Sequence, residues 1–233
     1  GDVTGAVSEF LRVASVAPTS PVRATAEFDA ATLLVVAQRW DEAATVLQDF
    51  RRNHPGHELE AEATRKLAVA YLEGGRTREA AVELERVAAS DAEEPELRRA
   101  SLWQAAELYA QSGDVPAARR VYADYVARFP QPFAPAIEAR HELANYAARS
   151  GDQTERRRWL EEIIAADAAA GGARTDRSRL LAAEASLEIA RPLDEAARAL
   201  KLSVPLDRSL LTKKKALESA LAEHLLGGRH SAD

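Results

Sequence analysis

The feature that most constrains this chain is a spacing. The segment RWDEAATVL around Ala43 is echoed by GRTREAAVEL around Ala80 and GDVPAARRVY around Ala118. Further copies are GDVTGAVSEF around Ala6, GDQTERRRWL around Arg156 and RPLDEAARAL around Ala196. The steps between these anchors are 37, 37, 38, 38 and 40 residues. Four residues after each anchor stand Phe10, Leu47, Leu84, Tyr122, Leu160 and Leu200, and seven after stand Val13, Phe50, Val87, Tyr125, Ile163 and Ser203. Pro18, Pro55 and Pro130 close three copies at one common offset. A fixed period of this length marks a repeat architecture, in which each unit buries its apolar face against its neighbours.

A second series lies upstream. Twelve residues before the later anchors stand Ala31, Ala68, Ala106, Ala144 and Glu184, and nine before stand Leu34, Tyr71, Tyr109, Ala147 and Leu187. A small residue in each of two helices lets the pair cross closely, and the large residues fill the gap to the next pair. Alanine is abundant and β-branched and aromatic residues never dominate a window, so helices are expected and strands are not. The predicted spans are 3–15, 21–38, 41–53, 58–73, 77–90, 95–112, 115–129, 133–150, 154–170, 175–190, 193–201 and 207–226. Gly74-Gly75, Ser112-Gly113-Asp114 and Ser150-Gly151-Asp152 mark turns where glycine accepts positive φ. Pro21, Pro95 and Pro135 fall at helix starts. Arg156, Glu184 and Ser203 break the pattern and predict shifted packing in the last copies.

Composition removes several function classes. Hydrophobic residues are 46% and charged residues 29%, a balance that folds. The net charge of −6, with both signs interspersed, is no nucleic-acid footprint. No apolar run approaches the ~20 residues of a membrane span. Without cysteine, disulfides and thiolate metal sites are excluded. His54-Pro55-Gly56-His57 lacks a third metal ligand nearby. No nucleophile–base set or phosphate-binding glycine loop stands out. Glu93-Glu94, Glu161-Glu162 and Lys213–Lys215 read as solvated charges. No catalytic, cofactor or metal residue is therefore assigned, and the chain is not expected to be an enzyme.

The two alanine series and the closing prolines resemble the tetratricopeptide repeat, whose pattern is small–x2–aromatic in helix A and Ala–x3–Phe…Pro in helix B. The resemblance implies an all-α fold, a right-handed α-solenoid of antiparallel helix pairs. The array would span residues 1–190, with a partial first repeat at 1–18. Residues 191–233 form a divergent helical segment with a stripe of Leu210, Leu217, Leu221 and Leu225, expected to continue into further repeats. GDVTGA at the start and LLGGRHSAD at the end each read as half a repeat, so the chain is expected to be a segment of a longer protein, with self-association through uncapped ends as the alternative.

In such a solenoid the A helices line a concave groove. The positions this implies here are Phe28, Thr32, Val35 and Val36; Arg65, Val69 and Leu72; Trp103, Glu107 and Gln111; and His141, Asn145 and Arg149. They make a plausible peptide-reading surface, so the expected partner is a protein or peptide. The Lys/Asn/Arg set of repeats that clamp a C-terminal carboxylate is not present in order. The joints VAPTSPVRATAEFDAA and RNHPGHELEAEATRKLAVAYLEGG, within residues 14–130, are similar to those of bacterial envelope repeat proteins of the β-barrel-assembly lipoprotein and Tol–Pal coordinator families. That similarity implies a periplasmic scaffold of an envelope machine; a cytoplasmic adaptor in signalling or secretion is the alternative.

Overall fold

A computed structural model describes residues 2–17, 19–20, 22–204 and 206–229, with side-chain placement given outside Ala14 and 224–229. Pro18, Pro21, Pro205 and His230, and the side chains of His224 and Leu225, lie outside the described residues. The described secondary structure is helical: α1 (Val3–Val16), α2 (Arg23–Val36), α3 (Trp40–Asn53), α4 (Glu60–Glu73), α5 (Thr77–Ala89), α6 (Pro95–Gln111), α7 (Val115–Arg128), α8 (Phe133–Ser150), α9 (Gln153–Ala169), α10 (Asp176–Ala199) and α11 (Leu206–Arg229). No described helix is long and apolar enough to cross a membrane.

One turn is repeated four times. Gln38, Gly75, Gly113 and Gly151 all have positive φ, and each stands five residues before its anchor. Each donates its N–H three residues back, and the following N–H reaches five residues back: Arg39 to Leu34, Arg76 to Tyr71, Asp114 to Tyr109 and Asp152 to Ala147, at 2.7–3.0 Å. These two bonds are the Schellman pair that closes a helix and turns the chain back. Asp114 and Asp152 then take the N–H groups of Ala117 and Glu155 and start the next helix. Short turns of this kind make successive helices antiparallel.

The chain divides into two compact units, Gly1–Val121 and Tyr122–Asp233. In the first, α1 to α6 each pack on the next, and α2 also touches α4. In the second, α8 to α11 do the same, and α10 also touches α8. Contact between alternate helices is what stacked pairs produce. The fold is an α-solenoid arrangement of antiparallel helix pairs. The anchors Ala43, Ala80 and Ala118 and their partners Ala31 and Ala106 are fully buried, with Ala68 close behind. Leu47, Phe50, Val87, Tyr125 and Ile163 fill the spaces between, as the spacing predicts.

The end of the array departs from expectation. The predicted helices 175–190 and 193–201 are a single helix, α10, which runs through Pro192. The position that should carry the turn is Arg191, and nothing there takes positive φ. Proline keeps a helical φ near −65°, so it costs one hydrogen bond without reversing the chain. The register also slips by one. Ala196 and Glu184 are exposed, whereas Ala197 and Ala185, again twelve apart, are buried. At the fifth anchor the small residue is replaced by Arg156, which is ion-paired with Glu188 of α10.

Candidate partner-binding groove

In the first unit the A helices α4 and α6 border an apolar cavity of about 240 Å³, floored by Leu84 and Val87 of α5. α4 supplies Arg65, Ala68, Val69 and Leu72; α6 supplies Leu97, Ala100, Ser101 and Gln104. The spacing 65, 68/69, 72 and 97, 100/101, 104 is one face of each helix. Val69 and Leu97 are 45% and 37% exposed, so their methyl groups are open to a visitor.

Arg65 sits at the edge. Its Nη1 donates to Glu93, a carboxylate only 5% exposed at the α5–α6 joint, while the arginine side chain is 39% exposed. The remaining polar framework of this unit is structural. Tyr71 bonds Gln48, and Tyr109 donates to Glu85 at 2.7 Å; each ties an A helix to the helix before it. Arg120 adds two bonds to Glu85 at 2.7 Å. Burial pushes the Glu85 carboxyl up, but the bonds from Arg120 and Tyr109 and the Arg120 charge outweigh it and hold it below the usual range. Burial, then the bond to Glu85, pushes the Tyr109 hydroxyl upward. Arg51 on α3 grips Glu83 on α5 through both terminal nitrogens, the longer bond at 3.0 Å.

Of the positions expected in the groove, the cavity brings together Arg65, Val69 and Leu72. Phe28 is in the core, 7% exposed, with its ring 5.7 Å from Phe50 and Lys66 Nζ 5.5 Å from its centre. Thr32 and Val35 are half-buried on α2, and Val36 is 76% exposed. Trp103 is half-buried, and its neighbour Gln104, not Trp103, faces the cavity; Glu107 and Gln111 are exposed further along α6. His141 and Asn145 are half-buried and Arg149 is exposed, with its guanidinium 5.6 Å from the Tyr146 ring centre; all three belong to the second unit.

Leu97, Ala100, Ser101 and Gln104 were not among the expected positions. α6 begins at Pro95, as the sequence predicts, and its first turn extends the wall beyond the positions projected from the repeat. The alternation of Leu97 with Ala100 and Gln104 at helical spacing carries that signal. Elsewhere, His54 Nε2 is 2.9 Å from Glu27, and His57 Nδ1 accepts the Leu59 N–H. Among the described residues there is no group of three or more His, Asp or Glu side chains placed to hold a metal ion.

The tetratricopeptide repeat family model matches residues 25–57 and 100–132. No curated protein sequence matches the chain significantly. Among solved structures it is similar to a putative kinesin light chain of Podosopora anserina with nearly identical TPR-like repeats, at 25% identity over 72% of this chain and 88% of that one, TM-score 0.42. It is also similar to a tetratricopeptide repeat protein from Parabacteroides merdae, at 14% identity over 97% and 93%, TM-score 0.43. A third similar structure is BtubC (BKLC) from P. vanneervenii, at 14% identity over 96% and 88%, TM-score 0.39. The family model thus identifies tetratricopeptide repeats at 25–57 and 100–132, and such repeats imply a protein-interaction scaffold.

Proposed function

We propose that this chain is a non-enzymatic scaffold segment that holds a peptide or helix of a partner protein against α4 and α6. The observation that carries the reading is the apolar cavity whose wall includes Arg65, Val69 and Leu72. Exposed valine and leucine around a small concavity are hydrophobic surface left uncovered, and burying it against a partner is favourable. The larger protein is a bacterial periplasmic one serving an envelope machine. That part rests on the similarity of the joints within 14–130 to envelope repeat proteins.

The test is a pull-down with the wild-type chain, Val69→Asp and the surface control Arg52→Ala, with proteins identified from bacterial periplasmic and cytosolic extracts. A carboxylate in the cavity wall lowers capture of the specific partner by about tenfold or more, while the control keeps it. Partners retained equally by Val69→Asp contradict the groove. A specific partner found in cytosolic extract alone contradicts the periplasmic assignment.

A further inference from the structure

The cavity has two polar groups with unused capacity, and they indicate the chemistry of what it takes. Arg65 spends Nη1 on Glu93, and its Nε and Nη2 donate to no described group. Those two nitrogens form the planar edge that matches a carboxylate with two parallel bonds. Because Glu93 is buried, it holds the guanidinium at the rim instead of letting it swing away. Ser101 is 3% exposed and lines the cavity, yet its hydroxyl has no hydrogen bond among the described residues.

The remaining wall is methyl groups. At about 240 Å³ the cavity is smaller than the ~300–1,000 Å³ of small-molecule sites but far larger than the ~30 Å³ share of a water. That is side-chain size. No aromatic ring lines it, so a ring entering it would find no stacking partner.

We propose, building on the groove reading above, that the cavity receives one leucine-sized aliphatic side chain of a partner polypeptide and that Arg65 binds a carboxylate carried within a turn of it. The recognised element is an aliphatic–acidic pair. Ser101 is placed to bond a main-chain group as the side chain enters. Both halves are needed for selectivity: the cavity selects the aliphatic group, and the Nε–Nη2 edge selects an acid over its amide.

Random displayed peptides selected on the full chain test this. The best binder is then synthesised as the acid and as the matching amide (Asp→Asn or Glu→Gln). Selected peptides should carry Leu, Ile or Val close to Asp or Glu, and the acid should bind about fivefold tighter than the amide. That preference should disappear in Arg65→Gln/Glu93→Gln, which leaves no lone buried charge, while the amide binds both chains alike. Thermal melting confirms that the double variant is folded; if it is not, Arg65→Lys is used and should cut the preference about twofold by removing the planar edge. Binders abolished by Val69→Asp that show no acid preference, or whose preference survives the double substitution, overturn this inference and leave the groove reading intact. Binders indifferent to Val69→Asp overturn both, and so does selection that enriches nothing.

Discussion

Single residues decide stability here through charge pairs that the repeat pattern does not announce. Arg51 and Glu83 are 16% and 7% exposed, and removing the arginine leaves a buried carboxylate. Arg51→Ala should cost about 2–3 kcal/mol, below the usual range for a fully buried pair because Arg86 stands 3.5 Å from the same carboxylate. Arg51→Met with Glu83→Leu should cost less, which thermal melting of both variants checks. Glu85 gives a pH signature. Its carboxyl titrates below its unfolded value, so the stability it adds is present above about pH 4 and is lost as pH falls through the lower folded value. The melting difference between wild type and Glu85→Gln should therefore be full at pH 7 and shrink below about pH 4. A difference that is constant with pH would contradict the bonding described for Glu85.

At the scale of elements, the recurring turn accounts for both the regular part of the array and its breakdown. Gln38 occupies a left-handed position, φ +58°, that glycine fills in the three later copies. Gln38→Gly should stabilise the chain by about 1 kcal/mol, and Gly113→Ala should destabilise it by a similar amount, since its Cβ meets nothing and only the backbone is strained. Calorimetry of the pair checks both signs. The helix spans up to α9 were legible in the sequence because glycine, aspartate and proline punctuate each unit. The span after 175 was not. Proline usually ends a helix in a sequence reading, and here the chain lacked a residue suited to the reversing turn, so the helix continued. The one-residue slip from Ala196 to Ala197 was hidden for a similar reason, since adjacent alanines satisfy the same pattern. Ala197→Leu should cost about 1–3 kcal/mol by overpacking, whereas Ala196→Leu should stay within about 0.5 kcal/mol. Equal effects in thermal melts would place the buried register elsewhere.

At the scale of the molecule, the repeat period dictates an all-helical chain of stacked pairs and leaves chemistry to the faces of the A helices. Most of the α4 side of the cavity wall could be read from the sequence, because Arg65, Val69 and Leu72 follow from counting back from Ala80. The α6 side could not, because the groove positions projected from the repeat begin inside the helix, although its start at Pro95 is as predicted, and α6 turns Leu97 and Gln104, instead of Trp103, toward the space. Phe28 illustrates the limit of projecting positions: its ring faces Phe50 and belongs to the core. The central claim is that a partner segment sits against α4 and α6. Methyl-resolved NMR of the chain, titrated with its best selected peptide, tests it most directly. The account predicts that the methyl signals of Val69, Leu72, Leu84, Val87 and Leu97 shift while those of Leu210, Leu217 and Leu221 on α11 stay in place. Shifts confined to the α11 leucines, with the five cavity methyls unmoved, would contradict it.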